Sequence, residues 1–245
     1  MNFADLGLSD ELLASVTAAG YDTPTPIQAQ AIPSVLMMRD LIGIAQTGTG
    51  KTAGFVLPMI DILAHGRARA RMPRSLILEP TRELAAQVAE NFVKYGVNHK
   101  LSMALLIGGV QMGDQIKALE RGVDVLIATP GRLMDLFERG KIMLNGCNLL
   151  VIDEADRMLD MGFIPDIETI CSKLPAQRQT LLFSATCAAS SRVGSRINES
   201  GMRARLRPCA RMSIIGRTKL AVLPVPVCAM PTMSRPISTD GIACV

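Results

Sequence analysis

Leu41-Ile42-Gly43-Ile44-Ala45-Gln46-Thr47-Gly48-Thr49-Gly50-Lys51-Thr52 runs from an apolar, strand-like segment through a glycine-bearing turn into a basic residue that opens a helical stretch. Glycine lets backbone N–H groups converge on an anion with no Cβ in the way, and a helix amino end adds positive potential. The loop is therefore read as a phosphate cradle. Lys51 is placed to reach β- and γ-phosphates, and the Thr52 hydroxyl to reach Mg²⁺. The first loop position is Ala45 rather than Gly, a departure from the strict pattern. A glycine-rich turn without chemistry is the bland alternative, but Gly-Lys-Thr between strand and helix argues against it.

Working outward, residues 40–186 alternate short apolar runs with segments of helical period. The strand expectations are Leu41–Ala45, Ser75–Glu79, Ser102–Ile107, Val123–Ala128, Asn148–Ile152 and Thr180–Phe183. Each is apolar on both faces, as strands covered by helices on two sides must be. Between them the period predicts helices over Lys51–Leu63, Glu83–Tyr95, Met112–Glu120, Gly131–Glu138 and Ile164–Leu174. This alternation reads as an α/β fold with a parallel, doubly wound sheet. A separate helix, Ser9 to Ala19, precedes it, with Ser9 as N-cap, Asp10 and Glu11 in its first turn, and Gly20 as its stop.

The 245 residues suit one large α/β domain or two small ones. No apolar run approaches the roughly 18 residues of a membrane-spanning helix, and the first residues lack the pattern of a secretory signal. The six cysteines form no Cys-x-x-Cys pair, which argues against a zinc site or a disulfide scaffold; Cys147 and Cys171 read as buried thiols. A cytoplasmic protein without membrane attachment is the expectation.

At Cys187 the pattern breaks. Residues 187–245 contain no aromatic residue, and Leu220–Met233 is cut by Pro224, Pro226 and Pro231, so neither a helix nor a central strand fits. The segment carries nine basic residues against two acidic ones, leaving 17 basic and 20 acidic in residues 1–186. Its cysteine spacing matches no metal pattern. It is read as a basic, disordered tail. Nucleic-acid affinity of the core must then come from a local surface rather than a global positive field.

A second chemical feature follows the strand Asn148–Ile152, namely Asp153-Glu154-Ala155-Asp156. An aspartate at a strand end can hold Mg²⁺, and an adjacent carboxylate can orient or deprotonate an attacking water. Asp153 is assigned to the metal and Glu154 to the water. Acidic residues also cap helices, so the assignment depends on the phosphate loop beside it. Lys51, Asp153 and Glu154 form the expected catalytic set.

Asp-Glu-Ala-Asp is the signature of the DEAD-box RNA helicases, and the chain resembles that family's first, RecA-like catalytic domain. Its other motifs occur in order: Gly20-Tyr21-Asp22-Thr23-Pro24-Thr25-Pro26-Ile27-Gln28, Pro80-Thr81-Arg82-Glu83-Leu84-Ala85, Gly108-Gly109, Thr129-Pro130-Gly131-Arg132 and Ser184-Ala185-Thr186. Phe3 lies 17 residues before Gly20, where the family keeps an isolated aromatic. The resemblance covers residues 3–186.

The resemblance implies roles for these residues. Gln28 would read the adenine edge, Phe3 would stack on the ring, and Thr23 or Tyr21 would line that pocket. Thr47, Gly48, Thr49, Gly50, Lys51 and Thr52 would hold the ATP phosphates, with Thr52 and Asp153 toward Mg²⁺. Thr81, Arg82, Gly109, Thr129, Gly131 and Arg132 would contact the RNA backbone without reading its sequence. Ser184 and Thr186 would link the two sites through hydroxyl hydrogen bonds to the Asp153–Asp156 segment. The implied organisation is a helix and adenine-recognition segment over 1–38, a RecA-like ATP-binding domain over 39–186, and a tail over 187–245 that lacks family resemblance.

Family members clamp ATP and RNA between two such domains, and arginines of the second complete the site. Residues 187–245 contain no segment like the family's His-Arg-x-Gly-Arg-x-Gly-Arg, so truncation or a frameshift after Ser184-Ala185-Thr186 is the expectation there. Two functions stay open: an ATP-dependent RNA helicase, or an ATP- and RNA-binding module that does not separate strands. Ribonucleoprotein partners are implied in kind only. The basic run Arg67–Arg74 and the methionines 158 and 161 read as a solvated connection and as packing, and His65 and His99 receive no role.

Overall fold

The computed structural model describes residues 2–186, 193–194 and the backbone of 221–224. After a 3-10 turn at Phe3–Leu6 come α1 (Asp10–Ala18), α2 (Pro26–Leu36), β1 (Leu41–Ile44), α3 (Lys51–Leu63), β2 (Ser75–Leu78), α4 (Arg82–Tyr95) and β3 (Met103–Leu106). They are followed by α5 (Met112–Arg121), β4 (Val125–Ala128), α6 (Pro130–Glu138), β5 (Leu149–Ile152), α7 (Ala155–Asp160), α8 (Ile164–Lys173), β6 (Gln179–Ser184) and β7 (Ala221–Pro224). The six strands expected from sequence are the six parallel ones, in the order β3-β4-β2-β5-β6-β1. Within the tail, β7 adds an antiparallel edge strand beside β1 and ends on Pro224. Residues 193–194 are also described, with Val193 buried; the rest of the tail lies outside the described residues.

Period-2 alternation sends successive strand residues to opposite faces. Ile77, Ile127, Val151 and Phe183 enter one apolar layer with α1 to α4. Leu78, Leu126, Ile152 and Leu182 enter the other with α5 to α8. The strands are therefore apolar throughout because both layers need them. Among the described residues no helix is long and apolar enough to cross a membrane.

α2 is not among the helices expected from sequence. Pro26 occupies the first helical turn, where its missing N–H costs nothing. The Thr25 N–H donates to Gln28 Oε1 at 2.9 Å, one half of a capping box. The carboxyl end of α2 is fastened to β6: Gln179 Nε2 donates to the carbonyls of Val35 and Arg39, and Asp40 accepts from the Thr180 N–H. Ser9 precedes α1 as expected, although its hydroxyl makes no capping bond; its N–H donates instead to Asp61 on α3.

Asp124 ties together the amino ends of β2, β3 and β4. Its buried carboxylate accepts from the N–H groups of Ala68 and Ser102, from the Ser102 hydroxyl, and from Arg74 Nη1 at 3.1 Å. Arg74 also donates to the carbonyls of Leu63 and His65, which fixes the connection between α3 and β2. Asp124→Ala would strand these donors together. It should lower unfolding free energy by about 2–4 kcal/mol, read by urea denaturation, with Asp124→Asn losing less.

Candidate active site

Because β1 to β6 are parallel, their carboxyl ends open onto one edge of the sheet, where ligands of open α/β folds bind. At the end of β1 the loop 45–50 leads into α3. Gly50 adopts φ 84° as the residue before Lys51, and Gln28 Nε2 donates to its carbonyl at 3.1 Å. A Cβ at this position would strike the Gln28 amide, so glycine is required both by the left-handed backbone and by that contact. The Thr49 hydroxyl closes the turn by donating to the Gln46 carbonyl at 2.6 Å.

Lys51 is only 4 % exposed. Its Nζ lies 2.9 Å from Glu154 Oε1, an ion pair buried on both sides. No hydrogen bond of good direction accompanies the approach, so the ammonium keeps donors to spare. Glu154 follows β5 and sits in the left-handed region at φ 49°, ψ 48°, an uncommon conformation for a residue with a Cβ. Its N–H donates to Asp153 Oδ1 at 2.8 Å, and the Asp153 N–H donates to the Leu78 carbonyl. Burial, partly countered by Lys51, pushes the Asp153 carboxyl up to about 6.

A third carboxylate, Glu79, joins this group from the end of β2. It is 1 % exposed, and neither oxygen has a hydrogen-bond partner. Burial first, and then the charges of Asp153 and Glu154, raise its pKa well above the usual carboxylate range, against an opposing pull from Lys51. Asp156 Oδ2 accepts from the Ala185 N–H at 3.1 Å, which joins the ends of β5 and β6.

The loops after β2, β3 and β4 meet farther along the same edge. Thr81 caps α4, accepting from the Leu84 N–H at 3.3 Å. The Arg82 guanidinium lies against Gly109, whose φ is 78° and whose Cβ, if present, would collide with it. Arg132, in the first turn of α6, reaches Gln115 Oε1 at 3.4 Å and the Val110 carbonyl at 3.5 Å. Thr129 precedes α6 and donates its N–H to the Leu106 carbonyl. Two guanidinium groups and the amino ends of two helices thus gather around the 108–110 turn.

A family model described as DEAD/DEAH box helicase matches residues 25–192. The chain belongs to this family. Among curated relatives it is 48% identical over 187 residues to DEAD-box ATP-dependent RNA helicase 46 of Arabidopsis thaliana, covering 76% of this chain and 29% of that protein. It is 44% identical over 189 residues to DEAD-box ATP-dependent RNA helicase CshA of Bacillus subtilis (strain 168), covering 77% and 38%. A crystal structure of a DEAD box protein from the hyperthermophile Methanococcus jannaschii aligns with TM-score 0.75 at 37% identity, over 83% of this chain and 54% of that one. The chain thus spans roughly a third of these curated relatives and about half of the solved neighbour.

Several residues of the DEAD-box motifs have surroundings in the domain that the sequence does not display. Phe3 is packed in the α1–α4 layer at 5 % exposure, so stacking on an adenine requires its ring to be uncovered. Tyr21 packs edge-on to Tyr95 in the last turn of α4, with Lys94 Nζ 5.0 Å over its ring, so its contacts are with that helix; Thr23 is exposed. Asp156 meets the Ser184-Ala185-Thr186 turn at the Ala185 backbone N–H, and the Ser184 hydroxyl accepts from the Thr186 N–H. Glu79 is not among the site residues expected from sequence, although a carboxylate closing the apolar run Ser75–Leu78 is a signal of the same kind as Asp153.

An acid whose pKa rises on folding favours the folded state while protonated and loses that contribution as pH climbs through its folded value. For Asp153 the loss falls between about pH 4 and 6. Asp153→Asn should therefore raise the thermal unfolding midpoint of the ligand-free protein at pH 8 by a few °C, with little change at pH 4. Scanning calorimetry at both pH values checks this.

Proposed function

We propose that the carboxyl-end edge of this sheet binds ATP with Mg²⁺ at the β1–β5 side and hydrolyses it, and that it grips an RNA backbone at the β2–β4 side. The chain would thus be the first RecA-like domain of an ATP-dependent RNA helicase. The Lys51–Glu154 ion pair carries this reading. A lysine suited to phosphate oxygens and a carboxylate suited to a water hold each other in one buried contact. An incoming polyphosphate competes for Lys51 and frees Glu154, so nucleotide binding itself releases the general base.

Each residue then has a task. Thr47 to Gly50 present backbone N–H groups to the phosphates, and Lys51 neutralises their charge. Thr52 and Asp153 supply the hard oxygen donors that Mg²⁺ prefers, and the cation, when bound, offsets charge on the phosphate oxygens. Among the described residues no three carboxylate, histidine or cysteine side chains could hold a metal by themselves, which fits a cation shared with the nucleotide. Gln28 would turn its amide to the adenine edge, and Phe3 would stack on the ring once uncovered. Arg82, Arg132, Thr81, Gly109, Thr129 and Gly131 would grip phosphates and sugars, contacts that carry no base information. Asp156 and Ala185 would pass strain between the two sides, with Ser184 and Thr186 in the same turn. Residues 1–38 serve adenine recognition, 39–186 the ATP-binding domain, and 187–245 a basic extension.

A second reading is an ATP- and RNA-binding module that does not separate strands; the family match covers residues 25–192, and the chain spans roughly a third of its curated relatives. Arginines supplied from outside a P-loop domain contribute about 10³–10⁵ in rate, so this 245-residue chain should bind ATP weakly and leave duplexes intact. Glu154→Gln should keep nucleotide affinity and lower turnover about 10²–10⁴-fold. Lys51→Ala should weaken nucleotide binding roughly tenfold or more, since a hydrogen-bonded charge pair is lost. ATPase assays with and without RNA, alongside titration of a fluorescent ATP analogue, test both. Wild-type turnover in Glu154→Gln would sink the hydrolytic assignment, and robust unwinding by the purified chain would sink the second reading.

A further inference from the structure

Glu79 stands one residue beyond β2. The parallel register that pairs Ile77 with Val151 and Leu78 with Ile152 continues to place it beside Asp153. Ile77 and Val151 belong to the layer shared with α3. The next residues of the same parity, Glu79 and Asp153, turn to that side, where Lys51 opens α3. Both Glu79 oxygens are buried there without a donor. Buried polar atoms are nearly always satisfied by protein, water or ion, and an orphaned carboxylate inside a site calls for a cationic or water ligand. Lys51, paired with Glu154 at 2.9 Å, makes no hydrogen bond to either Glu79 oxygen.

We propose that Glu79 is a third carboxylate of the nucleotide site, binding the divalent cation of the ATP complex through that cation's water molecules. When ionised, Glu79, Asp153 and Glu154 outweigh Lys51 by two negative charges, the charge of one divalent cation. The contact is water-mediated because the side chains do not converge closely enough to ligate a metal together. Mg²⁺ retains several waters in such sites, and each needs an acceptor. Glu79 offers two free oxygens at the point where β2 and β5 run out.

The inference rests on reading the loop at 45–52 as an ATP–Mg²⁺ site, and the test separates the two. Mn²⁺ replaces Mg²⁺ as the probe, and its affinity for the complex of the full chain with a non-hydrolysable ATP analogue is titrated by electron paramagnetic resonance. Glu79→Gln, isosteric but uncharged, should weaken Mn²⁺ binding about 3–10-fold while affinity for the analogue without metal and the unfolding midpoint do not fall. Glu79→Ala should show the same loss. Mn²⁺ affinity within twofold of wild type in Glu79→Gln, with Asp153→Asn weakened, overturns the role of Glu79 alone. A loss in Glu79→Ala but not in Glu79→Gln also overturns it, as the effect of a cavity. Unchanged Mn²⁺ binding in Asp153→Asn would overturn the underlying site as well.

Discussion

Parallel hydrogen bonding between β1 and β6, β6 and β5, β5 and β2, and onward to β4 and β3 forces the carboxyl ends of six strands onto one edge. Each strand ends there with a loop or a helix start, and each of those can aim backbone N–H groups or a side chain outward. Residues far apart in sequence, such as Gln28, Lys51, Glu79, Glu154 and Ala185, become neighbours through that single constraint. The strand order also divides the edge. β1, β6 and β5 carry the glycine-bearing loop at 45–50 and the Asp153–Asp156 acidic residues, while β2, β4 and β3 carry the arginines and the 108–110 turn. β2 belongs to both halves, since Glu79 faces Asp153 and Thr81 and Arg82 follow two and three residues later.

The opposite edge is quiet by comparison. Asp124 and Arg74 satisfy one another and several backbone donors there, and their work is to hold strand starts in register. The contrast is energetic. At the amino ends of β2, β3 and β4 the Asp124 carboxylate is matched by its donors, whereas the carboxyl edge holds a buried lysine without a well-directed hydrogen bond, a glutamate in a left-handed backbone, and a carboxylate with no partner. Unfavourable features of this kind persist only where surrounding structure imposes them, and they gather where a ligand is to bind.

Much of this was legible in the sequence. The six parallel strands and the helix Lys51–Leu63 follow from apolar runs that alternate with helical periods, a pattern that a two-sided sheet imposes locally. The loop at 45–52 and the Asp153-Glu154 pair stand out in the sequence because each is defined by residues adjacent in the chain. α2 was hidden because proline reads as a breaker wherever it stands, and only the backbone shows that Pro26 sits in a first turn. The Lys51–Glu154 pair, the grip of Gln28 on Gly50 and the Asp156–Ala185 bond depend on tertiary proximity, which no local pattern encodes. Phe3, for which the resemblance implied stacking on adenine, lies in the core, since an aromatic next to Leu6 and Leu8 gains more from burial than from facing water. Glu79 closes an apolar run as Asp153 does, but a single acidic residue at a strand end is common, and its missing donors are visible only in three dimensions.

Gln28 spends one amide on two neighbours, the Thr25 N–H and the Gly50 carbonyl. If that amide turns to an adenine, the carbonyl just before Lys51 loses its donor, and the phosphate loop is free to reshape. Base and phosphate recognition are then linked thermodynamically: each alters the affinity of the other by the same factor. A nucleotide with the wrong base would be penalised at both ends of the molecule. Selectivity would then show as a change in how tightly the polyphosphate is held, although no residue of the loop itself touches the base.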